Sequence, residues 1–346
     1  MRRIIGVKNM KNKSEDAKKL ASMQSLTKIN ASLYTLDCAH DIFLDEMVEK
    51  GKAGSIGKML AFAIKRVTKK PVIVKELRSG CSVFTAFNGK SEYIMGRNFD
   101  YKDAPCVLVR YAPEKGYKSI GFTDANFFLW GKEKGPKEGK LYARTLLAPY
   151  LCVDGINEKG LAVSVLELKT PPVHQKSGKL PISTSIIIRM VLNYAETVEE
   201  ALELFKRYDM NDIGGVAYHF VVSDRSGKSV LIEYLNGEMV LFYPESQKGS
   251  EKFLSVTNHF IAKGAPEPKR GAGYDRQERI VNTLTEKGGI ISEEEAMELL
   301  SKVQLDYYHK LGWPVRTLWS AVYNSTNASV NLCVGQNYEE TFHFEV

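Results

Sequence analysis

The stretch RSGCSVFTAFNGKSEYIMGRNFDY, residues 78–101, is where the chain changes character. Basic sequence with helical spacing ends at Arg78-Ser79. Gly80 supplies a permissive backbone, and Cys81 opens the apolar, β-branched run CSVFTAF. After Asn88-Gly89-Lys90, a strong turn signal, comes a second run, EYIMGRNFDY. Two strands joined by that turn predict an antiparallel hairpin whose return strand carries Arg97 and Asp100 back beside Cys81. Read alone, a cysteine at a strand start is ordinarily a core residue, and an Arg/Asp pair on a hairpin is ordinarily a solvated surface pair.

Downstream the same grammar continues. CVLVRYA, KSIGFTD, LAVSVLELK, YHFVVSD, SVLIEYL, EMVLFYP, KFLSVTN, LWSAVYN and SVNLCVG are short strand-like runs separated by turn residues. Helical spacing interrupts them over 183–208, punctuated near Thr197, and over 275–303, with a break at Gly288-Gly289 and a capping-box restart at Ser292-Glu293-Glu294-Glu295. Strands, then helices, then strands indicate a layered α+β fold rather than alternating βαβ units. Upstream, residues 31–50 and 57–66 place apolar side chains at helical spacing, so residues 1–80 are expected to form a mainly helical segment.

The 346 residues are 44% apolar and 26% charged, which excludes wholesale disorder and fibrous repeats. The longest apolar run is broken by Arg189, well short of the ~20 residues of a membrane span. The N-terminal stretch has no apolar signal-peptide region, and a cytoplasmic location is expected. Five scattered cysteines in no CxxC spacing indicate neither a disulfide framework nor a zinc site. The basic excess is confined to the first 80 residues, a net of +9 from 17 Lys or Arg against 8 Asp or Glu; the remainder has 31 against 33, so the whole chain carries +7. That segment has few aromatics to interleave with its charge, which argues against nucleic-acid binding and for a solvated basic face.

GCSVFTAF, IMGRNFDY with Asp100 nineteen residues after Cys81, DGINEKGLAVS and LSVTNHF together resemble the linear-amide C–N hydrolases of the N-terminal-nucleophile superfamily. That group includes choloylglycine hydrolase, penicillin V acylase, acid ceramidase and N-acylethanolamine acid amidase. The resemblance runs from about residue 79 to the C-terminus. It implies a four-layer αββα sandwich preceded by a helical prosegment, and a precursor that cuts itself between Gly80 and Cys81 into residues 1–80 and a catalytic domain of residues 81–346. It implies no cofactor and no metal. Once freed, the α-amino group of the cysteine, with an ordinary pKa near ~8, can serve as base for its own thiol. None of the six histidines is then required, and His259, beside a motif residue, reads as structural.

Residue by residue, the resemblance makes Cys81 the nucleophile and Arg97 the positive charge that favours its thiolate. Asp100 becomes the carboxylate that orients the new amino group, and Asn258 an oxyanion donor. Arg276, with Arg279 in reserve, matches a second active-site arginine. At the position where bile salt hydrolases carry an asparagine stands Glu167, as in the ceramidase and acylethanolamine amidase branch, and a carboxylate there is expected to repel a taurine sulfonate. Phe122-Thr123-Asp124 with Phe127-Phe128-Leu129-Trp130 reads as a core cluster or the lining of an acyl pocket. The resulting expectation is an amidase cleaving a small-molecule amide between an apolar acyl group and a small amine. The alternatives are an acyltransferase using the same acyl-enzyme, and an uncleaved lipid-binding protein whose basic prosegment meets anionic headgroups. Weak membrane-surface contact of the prosegment and a homo-oligomer stay open.

Overall fold

The computed structural model describes residues 2–69, 80–128, 130, 136–137, 140–246, 252–267, 272–306 and 315–346. Arg78, Ser79 and Leu129 lie outside the described residues. The strands are β1 (Thr27–Lys28), β2 (Leu33–Cys38), β3 (Gly80–Phe87), β4 (Tyr93–Lys102), β5 (Cys106–Tyr111), β6 (Ser119–Asp124), β7 (Asp154–Asn157), β8 (Ala162–Leu168), β9 (Pro181–Ser183), β10 (Asp209–Asn211), β11 (Ala217–Ser223), β12 (Ser229–Leu235), β13 (Glu238–Phe242), β14 (Ser255–Val256), β15 (Val315–Asn324), β16 (Ser329–Val334) and β17 (Phe342–Glu345). Nine of them form one sheet in the order β1-β2-β5-β6-β7-β8-β11-β12-β13, and six form a second in the order β14-β3-β4-β15-β16-β17; β9 and β10 pair separately.

Helices α1 (Arg2–Gln24), α2 (Leu44–Glu49) and α3 (Ile56–Ala63) belong to the N-terminal segment. Helices α4 (Thr184–Tyr194) and α5 (Val198–Arg207) cover the nine-stranded sheet, while α6 (Tyr274–Glu286) and α7 (Glu293–Lys302) cover the six-stranded one. The result is a four-layer αββα sandwich, the expected α+β class. Its main core lies between the sheets and includes Val83, Phe99, Val163, Val165 and Trp319. A second core, with Phe84, Ile94, Ile280, Leu284, Leu300 and Val322, lies between the six-stranded sheet and its helices. Odd and even residues of β3 therefore face different layers, as the two-residue period of a strand requires.

Local signals are realised where they were strongest. Ser292 and Glu295 close a capping box at α7, and the Thr197 hydroxyl caps α5 by accepting from the Glu200 N–H. The β3–β4 hairpin forms, but its turn differs from the Asn-Gly reading. Asn88 acts through its side chain, whose Oδ1 accepts from the N–H groups of Lys90 and Glu92 at 2.9 Å each, and the positive φ of 61° falls on Ser91.

Most described residues of the N-terminal segment are helical, but the helical reading of residues 31–50 needs correction at its start. Residues 33–38 form β2, which pairs in parallel with β5 from Leu33↔Cys106 to Cys38↔Tyr111. Its apolar spacing fits a strand as well as a helix, and burial of Leu33, Tyr34, Leu36 and Cys38 within a ready sheet decides between them. Met47, Val48, Met59 and Val67 join the same core. Through β1 and β2 the N-terminal segment is thus built into the nine-stranded sheet.

His40 fastens this segment to the body. It is buried, its Nε2–H donates to the Leu146 carbonyl at 2.9 Å, and its Nδ1 accepts from the Ser22 hydroxyl at 3.0 Å. Burial pushes its pKa down to about 4 from 6.5, the Leu146 carbonyl opposing weakly. A depressed histidine pKa contributes stability that is present above about pH 6.5 and lost as pH falls toward 4, an effect of about 3 kcal/mol. Thermal melts from pH 7 to 4.5 should therefore fall more steeply for wild type than for His40→Gln, which keeps a donor to Leu146 and cannot charge. Parallel slopes would remove His40 from the acid response.

Candidate active site

Antiparallel pairing assembles the site. In the β3–β4 ladder Gly80 faces Asp100, Cys81 faces Phe99 and Val83 faces Arg97. On the other edge of β3, β14 pairs Val256 with Val83, and continuing that register sets Asn258 across from Cys81. The Asn258 Oδ1 accepts the Cys81 N–H at 2.9 Å, which fixes the orientation of the amide, and its Nδ2 donates to the Glu167 carbonyl at 2.8 Å. Asn258 thus holds the Cys81 nitrogen, whereas an oxyanion donor would aim its Nδ2 at a reacting carbonyl. Glu167 meets the site through its backbone oxygen, and it is buried on β8.

Arg276 stands in the first turn of α6, where a cation is disfavoured by the helix dipole. Its acceptors offset that. Nη1 donates to the Cys81 carbonyl at 3.1 Å, the Ser82 hydroxyl at 2.8 Å and Asp100 Oδ2 at 2.9 Å, and Nη2 donates to Asn258 Oδ1 at 2.9 Å. Gly273, with φ 73°, makes room: a Cβ there would come within 2.6 Å of Arg276 Nη2. Arg279 is exposed, so of the two arginines Arg276 is the one built into the site.

Arg97 and Asp100 do not flank the thiol together. Three residues apart on a strand, they face opposite layers. Asp100 looks toward the helices, accepting from Arg276 and, at 2.6 Å, from the Thr317 hydroxyl; burial raises its pKa, with Arg276 and Thr317 opposing. Arg97 looks into the inter-sheet core on the side of Cys81, whose Sγ lies 3.7 Å from the Val165 carbonyl. Burial disfavours its charge, but the sulfur of Cys81 and the carboxylate of Asp154 outweigh burial and hold the guanidinium protonated.

Asp154 is the site residue that sequence reasoning missed. Fully buried at the start of β7, it accepts from Arg97 Nε and from Trp319 Nε1, the latter at 3.2 Å. The bond through Nε leaves Arg97 Nη1 and Nη2 buried and without a hydrogen-bond partner among the described residues. The only signal was a carboxylate opening an otherwise buried strand in DGIN.

Two further expectations change their reason. Gly80 lies in the extended strand without a left-handed φ; what a side chain there would meet is Asp100, with Cβ atoms 3.2 Å apart. Phe122, Phe127, Phe128 and Trp130 are buried in the core, with Phe122 against Trp319 at 6.2 Å between ring centroids. His259 Nδ1 meets the Ala272 carbonyl at 3.0 Å. The other four cysteines are buried, and burial pushes each thiol up, Cys152 and Cys333 to about 12. Among the described residues no cluster of metal-ligating side chains occurs, and no helix is long and apolar enough to cross a membrane.

The family described as acyl-coenzyme A:6-aminopenicillanic acid acyl-transferase matches residues 142–339. This chain belongs to that family. The match takes in Asp154, Glu167, Asn258, Arg276 and Thr317, so most of the shell around Cys81 falls within it. Penicillin V acylase from Pectobacterium atrosepticum is 33% identical over 107 residues, which is 27% of this chain and only 28% of that protein's length. Among solved structures, a variant of the conjugated bile acid hydrolase from Clostridium perfringens superposes with a TM-score of 0.52 at 15% identity, covering 77% of this chain and 92% of that one. Penicillin V acylase from Agrobacterium tumefaciens gives 0.50 at 20% identity, covering 77% and 86%. The likeness to these two structures is one of fold, spanning both sheets and the helices that cover them.

Proposed function

We propose that the chain is a cysteine amidase which matures by cutting itself between Gly80 and Cys81 and then hydrolyses a linear amide between an apolar acyl group and a small amine. The observation that carries this reading is the grip on Cys81: its N–H is held by Asn258, its carbonyl by Arg276, and its sulfur lies on the Arg97 side of the strand. A buried structural cysteine needs none of these.

In maturation the sulfur adds to the Gly80 carbonyl carbon and the Gly80–Cys81 C–N bond breaks. The thiol proton ends on the departing nitrogen, leaving a thioester and a free amine. Water then cleaves the thioester, releasing Gly80 as a carboxyl group and restoring the thiol. Asp100, across the ladder from Gly80, is held by Arg276 and Thr317 on the helix side of the strand, and its proposed part is to orient the new amine. The substrate amide repeats the sequence, with the new α-amine taking the thiol proton and passing it to the leaving amine. Asn258 Oδ1, which accepts the peptide N–H before the cut, is placed to accept from the amine after it.

Intact mass of the purified protein, before and after incubation at mildly acidic pH, tests this reading. A fragment beginning at Cys81 is expected, co-eluting on gel filtration with residues 1–80, because β2 stays paired to β5. Active enzyme of full length only would refute the mechanism. The family's acyl-transferase description favours a second reading in which an amine replaces water at the thioester. Product ratios with and without an added amine separate the two.

Glu167 is proposed to set the amine preference. Wild type should favour an N-acylethanolamine over a taurine conjugate in kcat/KM, and processed Glu167→Asn should narrow that preference. A wild type preferring the taurine conjugate, unshifted in the variant, would remove Glu167 from specificity.

A further inference from the structure

We propose that His219 and Glu233 form a positioning pair that holds the segment carrying Asn258 in its working place. The inference rests on the proposed role of Asn258 at the Cys81 nitrogen and extends it one step outward.

The two side chains sit on neighbouring strands, β11 and β12, whose register pairs Phe220 with Ile232 and so sets His219 opposite Glu233. Both are fully buried, and His219 Nδ1 lies 3.2 Å from Glu233 Oε1. Among the described residues, the other hydrogen bonds of both side chains go to one short segment. His219 Nε2 donates to the Thr257 carbonyl at 2.8 Å, immediately before Asn258. Glu233 Oε1 accepts the Ile261 N–H and Oε2 the Ala262 N–H, each at 2.9 Å, just after it. Residues 257–262 are thus held on both sides of Asn258, from a sheet layer that does not contain Cys81.

Nε2 faces a carbonyl oxygen, so it carries hydrogen, and Nδ1 meets Glu233 Oε1, the oxygen that also accepts the Ile261 N–H. An apolar pair of the same volume would fill this space without the desolvation cost of buried ionisable groups. What such a pair could not do is fix three backbone groups around Asn258. Displacing a catalytic group by about 1 Å can cost roughly 100-fold in rate.

The experiment compares wild type, His219→Leu and His219→Gln for the rate at which a Cys81-terminated fragment appears. Folding is checked by thermal melts, and exchange of the Ile261 and Ala262 amides is followed by NMR. Leucine removes both contacts, and processing should slow by about 100-fold while the two amides exchange faster. Glutamine puts an N–H near the place of Nε2 and should recover most of the rate, a rescue that a merely space-filling role would not show. Folded His219→Leu processing within threefold of wild type would overturn the proposal. If the leucine variant does not fold, Glu233→Gln, which keeps volume but loses an acceptor for one backbone N–H, takes its place under the same criteria. If wild type yields no such fragment, the maturation reading fails separately. The clamp is then judged by the Asn258 side-chain amide resonances, whose indifference to His219→Leu overturns it and whose shift supports it.

Discussion

Cys81→Ala is expected to leave the protein as a single 346-residue chain with no amidase activity. The substitution removes only the sulfur, since β3, the Asn258 bond to the residue 81 N–H and the Arg276 bond to its carbonyl are all made by backbone groups of that position. Fold and melting temperature should therefore stay near those of the wild-type precursor, apart from the small cost of a vacated sulfur-sized space. Loss of both processing and turnover from a folded variant is the expected pattern, at least a thousand-fold by analogy with other nucleophile deletions, roughly 10⁶ in the strongest precedent. Single substitutions of Cys38, Cys106, Cys152 or Cys333 should leave the chemistry intact, because burial keeps those thiols protonated. Mass spectrometry and a hydrolysis assay decide the matter. Processing that survives Cys81→Ala, or dies with one of the other four, would move the nucleophile elsewhere.

The second large effect belongs to Asp154. Asp154→Ala leaves the Arg97 guanidinium fully buried with no acceptor for its Nε, and breaking a buried pair from one side costs about 3–5 kcal/mol. The double variant Arg97→Met with Asp154→Leu removes both charges and should regain most of that stability, yet it should not process, because no positive charge then stands beside the thiol. Urea unfolding of the single and double variants, read beside the mass assay, distinguishes the two roles. If Asp154→Ala were as stable as wild type and still processed, Asp154 would be neither the counter-ion nor the orienting group of Arg97.

Elements whose signal is local could be read from the sequence. The β3–β4 hairpin, the capping box at Ser292 and the cap at Thr197 each rest on a few neighbouring residues. Cys81, Asn258 and Arg276 are reachable through their motifs; strand register brings the first two together, and the packing of α6 on β3 and β14 brings the third. The sequence did not reveal which layer a residue faces or which distant residue completes it. Arg97 and Asp100 share a motif but part company across the sheet, and the counter-ion of Arg97 lies 57 positions away at Asp154. His219 and Glu233 looked like ordinary strand residues because the groups they hold are backbone atoms of residues 257–262, and a carbonyl or an amide N–H leaves no mark in a sequence. β2 was misjudged for a related reason: its partner, β5, begins beyond the hairpin.

The register between β4 and β15 also sets a clock. Asp100 takes its second hydrogen bond from Thr317, and β15 is the strand that flanks β4 opposite β3. Residues 258, 276 and 317 must all be synthesised before the surroundings of Cys81 are complete. At about 5–20 residues per second, the ribosome needs tens of seconds to travel from Cys81 to Thr317. During that interval Cys81 is present but its neighbours do not yet exist. Under the proposed maturation, a nascent or truncated chain lacking Thr317 should not make the cut, and appearance of the new N-terminus would report that translation had run nearly to the end and that both sheets had closed. In the proposed maturation, the strand order ties the cut to completed folding.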